Sequence, residues 1–278
     1  MNYKIVVDSC CDLPKEFAKD VHFSFAPLTL TVDDYNIIDD QTFDQADFLK
    51  KVRESKNCPK SACPSPERYM NDFAGENVDV YVVTLSSELS GSYNSAVLGR
   101  NLYIEEGGTN NVHVFNSMSA SCGEGLIAMK VKELVEQGLA FDEVVAIAEE
   151  FTKGMKTFFV LESLETLRKN GRLTNLQAII ASALNIKPLM SAEGGKILKL
   201  DQARGINKAL AKMIALIKEK TVNSEEKILA IAHCNCLERA EYVKNEILKL
   251  MNFKNIIIVD TAGVSSMYAN EGGIIVTV

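Results

Sequence analysis

The chain is short of histidine, of net positive charge and of long apolar runs, and each shortage removes a class of function. Only His22, His113 and His233 occur in 278 residues. A serine nucleophile needs a base within hydrogen-bond reach, usually a histidine oriented by a carboxylate. His113 falls inside an apolar strand pattern rather than at its end, His22 lies in a segment without clear pattern, and no G-x-S-x-G elbow is present. A serine hydrolase is therefore not expected. Thirty Lys+Arg stand against 37 Asp+Glu, a formal charge of −7, so the basic footprint of a nucleic-acid binder is missing from the chain as a whole. No apolar run approaches the roughly 18 residues of a membrane span. Asp8 follows the start too closely to leave room for a secretory leader. Seven cysteines, an odd number in a chain too long to need staples, point to a reducing, cytoplasmic setting.

What is present is an ordinary globular balance, 47% apolar and 24% charged, long enough for one large domain or two medium ones. In the first half, short apolar runs at 5–7, 78–85 and 112–115 each empty into a serine-rich loop, and helical patterns follow the second and third, notably over 126–135. Short runs alternating with helices predict a parallel sheet covered on both faces. The second half reads as an α+β or mixed-sheet unit. It has strands at 158–161, 228–232, 256–259 and 274–278, and a hairpin of 187–190 with 197–200 around Glu193-Gly194-Gly195. Helices are expected over 164–167, 206–220 and 238–251, and a helix apolar nearly all round, hence buried, over 176–184. No linker composition marks a boundary. We place it near Gly154, giving an N-terminal α/β domain (1–155) and a smaller C-terminal α+β domain (156–278).

The chemistry lies in the hydroxyls. Ligands of open parallel sheets bind beyond the carboxyl ends of the strands, and helix N-termini there favour anions. Ser90-Gly91-Ser92 is the best placed of these loops, because Gly91 permits close backbone approach. A further serine loop, Ser61-Ala62-Cys63-Pro64-Ser65-Pro66, is stiffened by two prolines. None of the loops contains Lys or Arg, which suits a singly charged carboxylate better than a polyphosphate. Turn and cap chemistry alone also accounts for serine and glycine in loops. Three other patterns are weaker. Gly123-Glu124-Gly125 matches the dinucleotide fingerprint but sits seven residues beyond its strand. His233-Cys234-Asn235-Cys236 has no second Cys/His cluster to complete a metal site. Adjacent Cys10 and Cys11 lack redox-pair spacing.

Together the loops resemble the DegV family of bacterial fatty-acid-binding proteins. Val7-Asp8-Ser9 with Asp12-Leu13-Pro14 resembles its opening motif, and Ser61-Ala62-Cys63-Pro64-Ser65 its T-S-x-P-S loop. The stretch Ser86-Ser87-Glu88-Leu89-Ser90-Gly91-Ser92-Tyr93 resembles S-S-x-L-S-G-T-Y, and Leu164-Glu165-Thr166-Leu167 with Asn170-Gly171-Arg172 resembles L-x-x-L-x-x-G-G-R. The resemblance implies a two-domain, non-catalytic carrier that buries a long-chain fatty acid between its domains. It also implies presentation of the carboxylate to a kinase related to dihydroxyacetone kinase, with no cofactor or metal. By position it implies that Ser61 and Ser90 bind the carboxylate with the Gly91 region, and that Ser9 lies nearby. Tyr268 stands where the family has a histidine, and Glu271 where it has a proline. A phenol can donate to a carboxylate but carries no charge near neutral pH. Phe158, Phe159, Ile179, Ile180 and Leu184 are candidates to line the acyl tunnel. Residues 156–220 carry 12 Lys+Arg against 5 Asp+Glu, while residues 1–155 carry 13 against 25. Arg172 and Arg204 in this basic stretch match positions expected near the kinase and are candidate partner contacts. Two rivals remain: an enzyme for a small hydroxylated or carbonyl substrate, and a binding protein for a polar carboxylate.

Overall fold

In the computed structural model, which describes residues 2–173 and 185–278, the first half runs β1 (Tyr3–Asp8), β2 (Phe23–Ala26), β3 (Thr29–Val32), β4 (Tyr35–Ile38), α1 (Gln45–Glu54), β5 (Lys60–Ala62) and α2 (Pro66–Asp72). It continues with β6 (Asp79–Thr84), α3 (Ser92–Glu105), β7 (Val112–Asn116), α4 (Cys122–Glu136) and α5 (Phe141–Gly154). The second half comprises β8 (Thr157–Val160), α6 (Glu165–Lys169), β9 (Ile186–Glu193), β10 (Lys196–Arg204), α7 (Ile206–Lys220), β11 (Ile228–His233), α8 (Leu237–Leu248), β12 (Asn255–Asp260), α9 (Gly263–Ala269) and β13 (Ile274–Thr277).

The apolar runs of the first half form an all-parallel sheet in the order β2-β1-β6-β7. Consecutive residues of β1 are buried on opposite faces, which is why the run reads as continuously apolar rather than alternating. Val6, Val80 and Val82 pack against α2 and α3 through Tyr69, Phe73 and Ala96. Ile5, Val7 and Val83 pack against α4 and α5 through Ile127, Val131 and Ala148. Gly99 lets α3 lie directly on α2, since a Cβ there would stand 2.5 Å from the Pro66 carbonyl oxygen.

The second half builds a six-stranded mixed sheet, β10-β9-β8-β13-β11-β12, in which only β11 and β12 run parallel. The hairpin turn falls at Gly194-Gly195, both with positive φ (56° and 81°), the backbone that a tight two-residue turn requires. Amphipathic α7 and α8 cover one face through Leu210, Met213, Ile214, Val243 and Ile247. The other face turns toward the parallel sheet, and the N-terminal part of α4 lies between the two, with Cys122 and Leu126 against Ala230, Ala232 and Val259. All strands of the parallel sheet precede residue 155 and all strands of the mixed sheet follow it.

Two features depart from the sequence reading. Residues 29–62 form a small antiparallel sheet, β4-β3-β5, so Ser61 sits in a strand opposite Leu30 rather than in a loop. Its strands are only three or four residues long, too short to show a period. The second is α9, whose sequence Gly-Val-Ser-Ser-Met-Tyr-Ala has poor helix propensity. It is held by caps from distant residues, described below. The expected helix over 176–184, with Ile179, Ile180 and Leu184, lies outside the described residues.

Candidate functional site

Along β8 the alternate residues Thr157, Phe159 and Leu161 face one way, as strand geometry requires, and all three line a cavity of about 100 Å³. Leu85, Leu89 and Ala120, from the loops beyond β6 and β7, form its opposite wall. Ile197 and Ile275 contribute from β10 and β13, and α9 closes it with Val264, Tyr268 and Ala269. The cavity thus occupies the crevice at the carboxyl ends of the parallel strands, between that sheet and the mixed one. Phe159 lines it; Phe158, its neighbour on β8, instead points into the core under α7.

Polar groups gather at one corner. The Ser61 and Tyr268 hydroxyls are 3.2 Å apart. The Arg172 guanidinium lies over the Tyr268 ring, 5.8 Å from its centroid, and lines the cavity. Its Nε donates to the Leu89 carbonyl oxygen (3.0 Å) and a terminal nitrogen to that of Asn170 (2.5 Å). Asn170 Nδ2 in turn donates to the Pro59 carbonyl oxygen (3.0 Å), fixing this turn against the approach to β5. Ser90 and Gly91 reach the same corner, because Leu89 precedes them and a Cβ on Gly91 would stand 3.1 Å from Cys63 Sγ. Gly91 has an ordinary helical φ of −74°, so its glycine answers to space rather than to backbone conformation. The Ser90 hydroxyl accepts from the Ser92 N–H (3.2 Å) at the start of α3. Burial pushes the Tyr268 phenol up, against the Ser61 hydrogen bond and the Arg172 charge, so it stays a neutral donor.

Behind the corner lies a buried carboxylate frame. Asp39 accepts from the Gly263 and Val264 N–H groups (2.7 and 2.8 Å), and Asp12 from the Ala262 N–H (2.6 Å) and the Ser121 hydroxyl (2.5 Å). These bonds cap α9 from outside and position Tyr268. Ser121 keeps a positive φ of 60°, backbone strain held in place by its buried surroundings. Ser9, expected at the site, belongs to this frame: its hydroxyl accepts from the Leu28 N–H (3.0 Å) and hydrogen-bonds Asp39. Asp8 accepts from the N–H groups of Leu85 and Cys10 (both 3.0 Å). Burial pushes Asp8 and Asp12 up to about 7 and Asp39 up to about 6, with these hydrogen bonds opposing. Glu124 is fully buried, and no described N–H or O–H donor reaches either of its oxygens. Burial, with Asp8 and Asp12 beside it, drives its carboxyl far above the usual range. Asp8, Cys10 and Glu124 bring three possible ligand atoms within 4.8 Å of one another, all buried.

The structure therefore brings Ser61, Tyr268 and Arg172 into contact, with Ser90 and Gly91 alongside. Arg172, expected on a docking surface, stands instead at the cavity and supplies the cation that the serine loops lack. Arg204 lies apart, exposed on edge strand β10, beside a surface depression shared with Glu162, Lys187 and Lys208. Glu271, expected to crowd the carboxylate, pairs with Arg53 (3.1 Å) and accepts from Asn235 (2.8 Å). His233 is absorbed by structure: its Nδ1 accepts from the Cys236 N–H (3.3 Å) at the entry to α8, Nε2 lies 3.4 Å from Asp260, and burial lowers its pKa. Sequence reasoning passed over Asp12, Asp39 and Glu124 as site-forming residues. Their signal, acidic residues in a chain segment whose neighbours are buried, emerges only once the segments are assembled. An apolar cavity ending in two hydroxyls and a guanidinium suits a monocarboxylate with a hydrocarbon tail.

The chain belongs to the DegV family, whose model, described as "Uncharacterised protein, DegV family", matches residues 2–278. A DegV domain-containing protein of Streptococcus gordonii is 35% identical, over 99% of this chain and 98% of the relative. Among solved structures, a DegV family protein from Ruminococcus gnavus with vaccenic acid superimposes with a TM-score of 0.96 at 50% identity, over 99% of each chain. The Fatty Acid Kinase (Fak) B3 protein of Streptococcus pneumoniae, loaded with linoleic acid, has a TM-score of 0.90 at 32% identity, over 100% of this chain and 99% of that one.

Proposed function

We propose that this protein is a non-catalytic carrier that buries one long-chain fatty acid between its N-terminal (1–155) and C-terminal (156–278) halves. Ser61, Tyr268 and Arg172 hold the carboxylate, with the Ser90-Gly91 entry to α3 beside them. The observation that carries this reading is the apolar cavity closed at one corner by that polar group. Each buried methylene contributes roughly 0.8 kcal/mol, so the tail supplies most of the affinity and the polar corner sets orientation. The fatty acids held by the R. gnavus and S. pneumoniae relatives support the ligand class. The name of the latter extends the reading to a partner: this chain presents its carboxylate, in the cytoplasm, to a fatty-acid kinase of the dihydroxyacetone-kinase type. No helix among the described residues is long and apolar enough to cross a membrane. The apolar lining speaks against the small polar carboxylate.

The test is denaturing extraction of the purified protein followed by mass spectrometry. A stoichiometric fatty acid is expected. A protein that neither retains nor takes up any fatty acid overturns the carrier reading.

A further inference from the structure

The inner end of the cavity is closed by a partition of hydroxyls, and a second cavity lies directly behind it. Thr157 and Phe159 of β8 and Leu161 just beyond it line the first cavity. Leu161 leads into α6, which packs beside α9 and Tyr268, so the Leu161 end faces the polar corner and Thr157 marks the far end. There Ser119 Oγ and Thr157 Oγ1 are 2.8 Å apart, and Thr157 Oγ1 lies 3.1 Å from Thr277 Oγ1. Ser119 and Thr157 are only 4% and 7% exposed. Both residues, together with Ala192, also line a separate open groove of about 330 Å³ that carries Lys153, Lys156 and Lys220 on its rim. The partition between the apolar cavity and this open groove of mixed lining is therefore one side chain thick.

We propose that Ser119, Thr157 and Ala192 set the chain-length limit of the bound acyl tail. The inference rests on the fatty-acid reading and deepens it. A terminal methyl arriving at this wall meets two hydroxyls that already hydrogen-bond each other, with Thr157 also reaching Thr277. Going further means parting that pair and leaving buried hydroxyls unpaired against hydrocarbon, which is unfavourable. The neighbouring groove does not offset this, since it is open to water. A longer chain must instead buckle inside the cavity or leave its carboxylate short of Tyr268 and Arg172. Removing both members at once takes the pair away together and leaves Thr277 Oγ1 with the Cys122 thiol (3.7 Å) as its partner.

The experiment loads the full-length protein with an equimolar mixture of saturated fatty acids from C14 to C20 and measures the bound distribution by extraction and mass spectrometry. Ser119→Ala/Thr157→Ala should shift the distribution toward longer chains, raising the ratio of the first excluded length to the preferred one by about tenfold. Ala192→Leu should shift it toward shorter chains. Melting temperatures are measured alongside, and the double-alanine variant decides the matter if Ala192→Leu does not fold. Unchanged length ratios in a folded double variant that still loads fatty acid overturn the wall and leave the carrier reading standing. A wild-type protein that loads no fatty acid of any length overturns both.

Discussion

At its N-terminus α9 is clamped by two buried carboxylates, whereas at its last turn Tyr268 touches a hydroxyl and a guanidinium that are both partly exposed. The same contrast separates Ser9 from Ser61. Both are serines beside the same helix, yet the Ser9 hydroxyl is consumed between Leu28 and Asp39 while that of Ser61, among the described residues, meets Tyr268 alone. A ligand can recruit donors that are not committed to the fold. The frame is therefore where the protein stores stability, and the corner is where it retains freedom to bind.

Asp39→Ala tests this division most severely. It leaves the Gly263 and Val264 N–H groups buried without acceptors, at about 1–3 kcal/mol each. A loss of roughly 3 kcal/mol in urea denaturation is expected, and fatty-acid retention should fall with it because α9 closes the cavity. Ser61→Ala should leave stability within about 0.5 kcal/mol and weaken binding alone. Equal stability of the two variants would erase the distinction between frame and corner.

The next effect is one of pH. Asp8, Asp12 and Asp39 are raised by burial to about 7, 7 and 6, so between about pH 4 and pH 7 the folded state binds more protons than the unfolded chain. Their contribution to stability is thus greatest at the acidic end of that window. It declines as pH rises, by up to about 1.4 kcal/mol per pH unit for each group while it titrates. Asp12→Asn, whose amide oxygen can still accept from Ala262, should flatten the decline in melting temperature measured from pH 4.5 to 8. A wild-type profile that rises steadily across this range would mean that the three carboxyls are not shifted upward.

This frame was the part least legible in the sequence. The parallel sheet, the glycine hairpin and α7 follow from local pattern: continuous apolar runs, paired glycines and a 3.6-residue period. Ser61, Ser90 and Tyr268 were reachable through motif resemblance. The caps of α9 were not, because Asp12 and Asp39 lie more than 220 residues away in sequence from the N–H groups they hold. A seven-residue helix with Gly, Ser and Ser in it offers no local signal of its own. The place of Arg172 at the cavity was hidden for a related reason. Its charge was visible in the basic stretch, but its partner, the Tyr268 ring, becomes adjacent only in the folded chain.

At the corner, Tyr268→Phe removes one donor and frees Ser61. Carboxylate affinity should weaken by about 0.5–1.5 kcal/mol with no change in stability, as read by competition with a fluorescent fatty acid. An unchanged affinity would assign the carboxylate to Arg172 and the α3 terminus instead.

The smallest effect on the ligand is expected at Arg204, the counterpart of Arg172 in charge but not in place. Arg204 is exposed on an edge strand and lies in a different surface depression from the cavity that Arg172 lines. Arg204→Glu should therefore leave fatty-acid affinity unchanged within about 0.5 kcal/mol. If the basic stretch of 156–220 meets an acidic face of the kinase, the same reversal should slow association and flatten its dependence on salt, because exposed charges act mainly on encounter rates and are screened. The two arginines then separate in one pair of measurements. A variant at Arg204 that loses fatty acid would join it to the corner, and one that alters neither affinity nor association rate would remove it from the partner surface.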